Sequence, residues 1–249
     1  YITIKADING EDVRRSYSLC SAPHESDFRV AVKKITQGKM STFLNESITE
    51  GSMLEVMPPE GNFSLQPEEG KHYVAFAAGS GITPIMSMVK SVLKNTNSKF
   101  TLYYSNQTTA STIFKDQLDE LASSHKGQFQ LNYVFTKQPS NDPLFEGRIN
   151  KEKFNAIVQS NMDLLRADGF FMCGPQQMID EIADGLNYLG VAKDKVHFEL
   201  FVVTNEAPKQ AAEGSFSGSS QMTVIMDGEE FEFDLDAGGD SILDAAMDQ

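Results

Sequence analysis

Short runs in which apolar and polar residues alternate occupy the first quarter of the chain. Such runs cover residues 1–6, 15–20, 28–35 and 53–57, and turn residues such as Asn9-Gly10 separate them. Because successive side chains of a strand point to opposite faces, this period-two pattern predicts short antiparallel strands, and their close spacing is typical of a small barrel. One short helix, residues 41–46 with Ser41 as its cap, is expected among these strands.

From residue 71 the pattern changes to apolar strands that alternate with amphipathic helices. Apolar runs predict strands at 72–78, 100–105, 129–136, 169–173 and 195–203. Apolar residues at helical spacing predict helices that begin at Ile82 and that cover 112–122, 151–158 and 176–189. Such alternation is the signature of a doubly wound parallel sheet. We therefore expect an antiparallel barrel followed by an α/β domain.

The last part of the chain differs in composition and charge. Residues 205–220 are rich in Ala, Gly, Ser and Gln and predict a flexible linker. Residues 222–226 and 230–235 then predict a hairpin with Asp227-Gly228 as its tight turn. Of the net charge of −14, −10 lies in the segment 205–249. An acidic field repels polyanions, so no nucleic-acid partner is expected.

Composition sets broad limits on the class of protein. A chain of 249 residues that is 40% hydrophobic can form at least two cores. No apolar run approaches the roughly 18 residues that span a bilayer, so no membrane partner is expected. Two cysteines, Cys20 and Cys173, are too few for a disulfide framework or a cysteine-only metal site, and they fit a reducing cytoplasm. Both ends interrupt an element, so we expect a chain that is truncated at both ends.

Two segments of the predicted barrel suit the phosphates of a dinucleotide. Arg15 and Tyr17 are two residues apart on a strand and therefore share one face, where a guanidinium can bind a phosphate and a phenol can stack or donate. A glycine turn that leads into a helix N-terminus offers backbone amides to a second anion; it comprises Gly38, Lys39, Met40 and Ser41. Alternatively, Arg15 is a surface cation, Tyr17 an ordinary strand aromatic and Ser41 only a cap.

Two turns of the predicted parallel sheet suit a second nucleotide. Gly79 and Gly81 lie between a strand and a helix, where missing side chains let a dinucleotide approach the backbone and the helix amides. Pro84 takes the place of the third glycine of a GxGxxG motif, and no Gly-Lys-Ser/Thr follows, which excludes a P-loop. Cys173-Gly174-Pro175 ends a strand at the carboxyl edge of the sheet, where ligands of such sheets bind. The alternatives are a plain tight turn at Gly79 and a buried core thiol at Cys173.

Together these segments resemble the ferredoxin-NADP reductase superfamily. The resemblance covers nearly the whole chain and rests on Arg15-Ser16-Tyr17-Ser18, Gly79-Ser80-Gly81-Ile82-Thr83-Pro84 and Cys173-Gly174-Pro175. The chain is most similar to the reductase components of bacterial oxygenases, such as the one that serves phenylacetyl-CoA epoxidase. The resemblance implies an FAD-binding barrel at 1–68 and an NAD(P)-binding α/β domain at 69–204. The presence of two anion sites also favours FAD over FMN.

The resemblance implies roles for further residues. Ser18 would sit beside the flavin N5, Val32 and Lys33 would contact the flavin through their backbone, and Thr83 would lie close to the nicotinamide or its phosphate. Cys173 would lie near the site of hydride transfer. Glu199 and Phe201 would approach the flavin, although Phe201 also fits a plain core position. We therefore expect Ser18, Cys173 and Glu199 to form the catalytic set, and hydride transfer requires no general base.

The choice of nucleotide depends on Ser105-Asn106-Gln107, at the end of the second parallel strand. An acidic residue there would bind a ribose diol and repel a 2′-phosphate, and none is present. Ser105 and Gln107 therefore favour NADPH. Many relatives that use NADPH carry an arginine at the position of Gln107, so NADH stays open.

The acidic segment 221–249 resembles the opening hairpin and first helix of a plant-type ferredoxin domain. That domain binds a 2Fe-2S cluster through four cysteines, none of which is present in this segment. The cluster is thus expected only in a complete protein, with residues 205–220 as the linker. The implied activity is hydride transfer from NAD(P)H to FAD, followed by single-electron transfer to the cluster and to an oxygenase, in the degradation of phenylacetate or another aromatic compound. The alternatives are a stand-alone ferredoxin or flavodoxin reductase and a non-catalytic module that binds a nucleotide for regulation.

Overall fold

The structure of this protein is a computed structural model, and it describes residues 1–95, 97–201, 218–226, 229–236 and 245. The chain forms two compact units, Tyr1–Phe201 and Val202–Gln249. The first unit contains an antiparallel sheet and a parallel sheet, and the second contains a hairpin.

The antiparallel sheet has its strands in the order β2-β1-β3. These strands are β1 (Ile2–Ile8), β2 (Glu11–Tyr17) and β3 (Glu55–Val56). A hairpin joins β1 to β2 through Asn9-Gly10, whose φ angles of 58° and 81° are positive, as a tight hairpin turn requires. The helix α1 (Lys39–Glu46) packs on this sheet through Met40, which shares a small apolar core with Ile4.

Two strands of this region differ from the sequence-based prediction. β2 begins at Glu11 rather than at residue 15, because the two-residue turn places Glu11 directly opposite Ile8. The strand expected at 28–35 is wrong, since only an isolated bridge between Leu19 and Val30 forms there. Phe28 is 81% exposed, and Val30 and Ala31 pack against two different apolar clusters, so this run does not form a regular strand face.

The start of α1 is also corrected. The helix begins at Lys39, two residues before the predicted cap, with Gly38 in the capping position. The hydroxyl of Ser41 accepts a hydrogen bond from Ile35 N and donates one to Gly38 O, each at 3.2 Å. Ser41 therefore ties the preceding loop to the first turn of the helix and does not cap it.

The parallel sheet confirms the predicted doubly wound α/β architecture. Its strands follow the order β6-β5-β4-β7-β8, and every pair is parallel. They are β4 (His72–Ala78), β5 (Lys99–Asn106), β6 (Phe129–Phe135), β7 (Gly169–Gly174) and β8 (Val196–Leu200). All five carboxyl ends therefore lie at one edge of the sheet.

Four helices cover the two faces of this sheet. They are α2 (Ile82–Asn95), α3 (Lys115–Ser124), α4 (Lys151–Ser160) and α5 (Gln176–Tyr188). Residues of α2 and α3 share one buried apolar cluster with Tyr104, and residues of α4 and α5 share another with Tyr103. Neighbouring residues of β5 thus pack into opposite layers, as the pleat of a strand requires.

One helix starts later than its periodicity predicts. Residue 112 was expected to open α3, but a 3-10 turn covers Thr109–Ser111 and the helix begins only at Lys115. Phe114, just before the helix, has a φ of 60°, a conformation that few residues other than glycine adopt. The hydroxyl of Tyr104 donates to Ile113 O at 3.4 Å in this segment.

The second unit confirms the predicted hairpin. β9 (Ser219–Met226) and β10 (Glu229–Asp236) are antiparallel, and Met222 lies opposite Phe233. The predicted turn, Asp227-Gly228, and most of the predicted linker lie outside the described residues. The domain limits set from the sequence, 1–68, 69–204, 205–220 and 221–249, stay predictions.

Candidate functional site

The strand β2 carries the first set of predicted ligands. Arg15 and Tyr17 lie on the same face as the buried Val13, which confirms the face that the alternation predicts. The Arg15 guanidinium is exposed and donates to Arg14 O at 2.6 Å. Tyr17 is half-buried, and burial raises the pKa of its phenol while nearby Arg15 lowers it in part. A cation and an aromatic ring are therefore presented side by side.

The start of α1 lies beside this face. Lys39 is exposed and forms an ion pair with Glu11 of β2. Met40 is buried in the core and the Ser41 hydroxyl is occupied within the turn, so these two residues present only their backbone to a ligand. A Cβ at Gly38 would lie 2.4 Å from Ile35 and from Ser41, so this position requires glycine. The amides of such a first turn lack intrahelical partners and suit an anion.

Val32 and Lys33 lie in the loop that precedes α1. The carbonyl of Val32 accepts a hydrogen bond from Asn45 Nδ2 at 3.3 Å, which holds this part of the loop against the helix. Lys33 is exposed. Their predicted backbone contacts with a flavin stay a prediction.

A buried polar contact joins the two sheets at the end of β2. Ser18 is 7% exposed, and its hydroxyl donates to Glu199 Oε2 at 3.0 Å across 181 residues of sequence. Glu199 lies on β8, where it is the register partner of Cys173 on β7. The structure therefore brings together Ser18, Cys173 and Glu199, the three residues that sequence analysis proposed as catalytic.

Cys173 is a neutral thiol in this arrangement. Its side chain is fully buried, and burial raises its pKa far above the usual range, with the negative charge of Glu199 raising it further. A thiolate is the reactive form of cysteine. Cys173 is thus suited to contact with a ring or a carbonyl and not to nucleophilic attack.

Gly79 and Gly81, the two glycines after β4, differ in what the structure requires of them. Gly79 has a φ of +55°, and an added Cβ would meet no atom within 4 Å, so its surface is open to a ligand. A Cβ at Gly81 would lie 2.1 Å from Cys173 O, so Gly81 is required by the close approach of β7. Thr83 is buried at the start of α2, and its hydroxyl donates to Ser80 O at 3.0 Å.

The turn after β7 lies against the turn after β4. A Cβ at Gly174 would be 2.8 Å from Met178 and 3.0 Å from Ala78 Cβ, so the two strand ends are in close contact. Pro175 is exposed and immediately precedes α5. The edge therefore presents two helix N-termini next to each other, where the dipoles and free amides favour a negatively charged group.

The end of β5 contains a donor that sequence analysis missed. Ser105 is buried and pairs in register with Ala78, whereas Gln107 is exposed. Between them, Asn106 is 7% exposed, and its Nδ2 forms no hydrogen bond of ordinary geometry among the described residues, although it lies near enough to the Tyr104 hydroxyl to lower the pKa of that phenol in part. An unpaired buried donor costs free energy unless a ligand or water meets it. Its position at the carboxyl end of a buried strand was the available signal in the sequence.

Phe201 ends the first unit and is half-buried against the apolar cluster that includes Cys173. This placement fits both interpretations, a core residue and a residue next to a cofactor.

A cavity of about 330 Å³ lies beside the Ser18–Glu199 contact. Its walls come from the loop after β2, from residues 60–67 and from α2, with Leu19, Phe63 and Met88 as apolar contributors. An apolar cleft with a few convergent polar groups is the usual form of a cofactor site. Ser18 and Glu199 lie on the wall of this cavity and suit a cofactor there, whereas Gly79 and Asn106 are outside its lining.

Neither a membrane span nor a metal cluster is found in the described part of the chain. None of the helices there combines the length and apolar character that crossing a membrane requires. Within the same ranges, no three His, Cys, Asp or Glu side chains are grouped so that they could hold a metal ion.

Comparison with known families matches both parts of the first unit. Residues 1–65 match the oxidoreductase FAD-binding domain, and residues 76–184 match the oxidoreductase NAD-binding domain.

Three curated proteins illustrate the similarity. The chain is 36% identical to one of the subunits of 1,2-phenylacetyl-CoA epoxidase of Escherichia coli, over 100% of this chain and 70% of that protein. It is 31% identical to the ferredoxin reductase component of 3-ketosteroid-9-alpha-monooxygenase of Rhodococcus rhodochrous, over 92% and 63% of the two chains. It is 30% identical to a flavohemoprotein of Burkholderia sp., over 81% and 50%. The chain thus spans between a half and 70% of these relatives.

Two solved structures have a similar fold. The FAD/NAD-binding domain of a nitric oxide dioxygenase from Vibrio cholerae superposes with a TM-score of 0.70 at 23% identity, over 81% of this chain and 83% of that one. Flavohemoglobin from Malassezia yamatoensis, solved with bound FAD and heme, gives a TM-score of 0.64 at 25% identity, over 80% and 50%.

The buried state of Cys173 is open to direct test. We expect iodoacetamide at about pH 8 to label Cys173 in the native protein at least about tenfold more slowly than in concentrated urea, because each unit by which the pKa rises removes about nine-tenths of the thiolate. Mass spectrometry of peptides measures the labelling. Cys20, which is also buried with a raised pKa, should behave likewise. Equal labelling of Cys173 in both states would contradict the neutral buried thiol.

Proposed function

Because this chain belongs to the ferredoxin reductase superfamily of FAD- and NAD-binding oxidoreductases, we propose that it is the reductase part of an oxygenase system. Membership makes it an NAD(P)H- and FAD-dependent oxidoreductase. The observation that carries the proposal is the contact of Ser18 with Glu199 beside Cys173, where the antiparallel and parallel sheets meet.

Residues of the antiparallel sheet and of α1 would hold FAD. Arg15 and the first turn of α1, from Gly38 to Ser41, offer a guanidinium and backbone amides to the pyrophosphate. Tyr17 offers an aromatic wall, and Val32 and Lys33 offer backbone groups. When bound, FAD accepts a hydride and releases electrons one at a time.

The catalytic set would act on the reacting edge of the flavin. The Ser18 hydroxyl can turn from Glu199 to donate to a ring nitrogen, and Glu199 keeps that hydroxyl in place. The carboxylate of Glu199 is half-buried and accepts the hydrogen bond of that hydroxyl. Cys173, as a neutral thiol, contributes a small surface against which a nicotinamide can lie.

The nucleotide would bind along the carboxyl edge of the parallel sheet. At Gly79 and at the Gly174-Pro175 turn, the nucleotide could approach the protein backbone closely. Thr83 would contact the nicotinamide end of the nucleotide. Phe201 would cover the flavin until the nucleotide enters. At the other end, Ser105, the unpaired amide of Asn106 and Gln107 offer neutral polar groups without a carboxylate, which supports NADPH as the preferred donor, with NADH as the alternative.

We propose a 2Fe-2S cluster as the electron acceptor. The segment 221–249 would open a plant-type ferredoxin domain, so electrons would pass to a 2Fe-2S cluster in the complete protein and then to an oxygenase. The relation to the Escherichia coli epoxidase protein supports a role in phenylacetate degradation. The domain limits would be 1–68, 69–204, 205–220 and 221–249, and the two reduced cysteines support a cytoplasmic location.

An anaerobic visible spectrum tests the activity. We expect the purified protein to carry flavin absorbance, or to acquire it with added FAD, and to bleach on addition of NADPH faster than with NADH. The rate of bleaching in a stopped-flow instrument gives the preference between the two nucleotides. Flavin that is bound but bleached by neither nucleotide would favour the regulatory module, and failure to bind FAD would contradict the flavin site.

Arg15 can be tested with a neighbour as control. Arg15→Ala should weaken FAD binding by about tenfold, the usual loss for one charge-assisted phosphate contact. Arg14→Ala should leave the affinity within about twofold, because Arg14 points to the other face and pairs with Asp12. Fluorescence titration of FAD into the apoprotein measures both. An equal loss in the two variants would show a general effect of surface charge and would contradict the assigned role.

Ser18→Ala should slow flavin reduction by about 10-fold to 100-fold while FAD stays bound, because a preorganised donor is lost at the reacting edge. Single-turnover reduction at saturating NADPH measures the rate. Ser16→Ala is the matched control, since Ser16 is exposed and contacts only Thr3, at 2.9 Å, among the side-chain partners that the described residues provide. An unchanged rate in Ser18→Ala would contradict the assignment.

A further inference from the structure

The loop that leaves β2 is fastened to α2 by side chains of the helix. This loop, residues 18–30, begins with Ser18. Ser87 donates to Ser21 O at 2.8 Å. Lys90 Nζ donates to Cys20 O at 3.4 Å and to both carboxylate oxygens of Glu25, at 3.1 and 3.0 Å.

The Lys90–Glu25 pair is more enclosed than the other ion pairs of the described residues. The side chains are 17% and 24% exposed, and both values are lower than those of any other pair there. Glu25 Oε2 also accepts from Ala22 N at 2.7 Å. Burial raises the pKa of Glu25, but the hydrogen bonds from Ala22 and Lys90 outweigh it and leave the pKa lowered, so the carboxylate is charged. Removing one partner would leave an uncompensated, largely enclosed charge.

Each residue of this pair belongs to the same element as a residue of the proposed site. On α2, residues three and four apart share a face, so Thr83, Ser87 and Lys90 line one side of the helix over about 10 Å. On the loop, Cys20 and Ser21, which α2 contacts, come two and three residues after Ser18. Ser18 is hydrogen-bonded to Glu199. The nicotinamide-side turn and the flavin-side serine are therefore connected through one rigid helix and one short loop.

We propose that Lys90 and Glu25 are a positioning pair, which holds the flavin-side loop against α2 and so sets the separation of the two cofactors during hydride transfer. This inference rests on the proposed function, because it presumes that both cofactors bind. Neither side chain needs to touch the cofactors. Lys90 contacts the loop from a position on α2 that is seven residues after Thr83.

The expected effect follows from the distance dependence of the reaction. Productive transfer requires the reacting atoms to be about 3 to 3.5 Å apart, and a misplacement of about 1 Å costs about 100-fold in rate. Loss of the ion pair leaves the Ser87–Ser21 and Ser18–Glu199 hydrogen bonds in place. The loop would therefore shift without detaching, which slows the chemistry more than it weakens FAD binding.

The test uses Lys90→Met and Glu25→Gln, which remove one charge each at similar length. Flavin reduction in a single turnover at saturating NADPH should slow by about 10-fold or more in each, and the double variant should be no slower than either single one because the two residues act together. Lys90→Arg, which keeps a cation at this position, should retain most of the parent rate of flavin reduction. FAD occupancy, measured from absorbance, should stay within about twofold of the parent protein, as the remaining contacts predict.

A second readout does not depend on turnover. Hydrogen exchange of the protein without nucleotide should speed up at the amides of Ala22 and Arg29 in Lys90→Met, because their acceptors lie in the loop that the pair holds. Lys71→Met is the matched control. Lys71 forms a comparable pair with Asp168 at 3.3 Å, at the amino ends of the parallel strands, and its loss should change neither the exchange of the loop nor the rate.

The outcomes separate this inference from the proposed function. If the parent protein binds FAD but no nucleotide reduces it, the proposed function fails, and unchanged exchange in Lys90→Met would overturn the positioning pair as well. If the parent protein is reduced and Lys90→Met is reduced at the same rate, the positioning role is overturned, whatever the exchange shows. Loss of FAD in both Lys90→Met and Glu25→Gln would mark a purely structural pair and would also overturn it.

Discussion

The hydrogen bond between Ser18 and Glu199 is the contact on which the site depends. It links the residue that follows a hairpin to an edge strand 181 residues later, and it does so where Ser18 is almost wholly buried. A buried hydroxyl without a partner costs free energy, so the antiparallel and parallel sheets are favoured in the one arrangement that pairs them. Since Cys173 lies next to Glu199 in register, this arrangement also fixes the thiol relative to Ser18.

Close packing of strand ends explains why this edge can serve a ligand. Gly81 lies against the carbonyl of Cys173, and Gly174 lies against Ala78, so the turn after β4 and the end of β7 are in close contact. Their turns therefore leave little freedom, and of these glycines Gly79 presents an open surface. A rigid edge of this kind is preorganised, so binding a nucleotide there does not have to be offset by ordering the loops.

The sequence predicted the parallel sheet well and the antiparallel region less well, for a physical reason. β4, β5 and β7 are buried on both faces, so their continuous apolar runs mark them clearly. Residues 28–35 alternate apolar and charged side chains but leave Phe28 exposed, and no local signal distinguishes a strand from an extended loop there. Likewise, the contact of Ser18 with Glu199 arises from tertiary packing, which a single sequence does not encode locally.

The loop after β2, residues 18–30, is held at its first residue and again near its middle. Ser18 is bonded to β8, and Glu25 is bonded to α2, so the loop bridges two elements of the parallel-sheet layer. A loop held at one point would swing and add reorganisation to every turnover, whereas one held at two points moves only when its supports move. Because α2 also carries Thr83 at its first turn, a displacement of that helix would shift the two proposed cofactor sites together and preserve their separation.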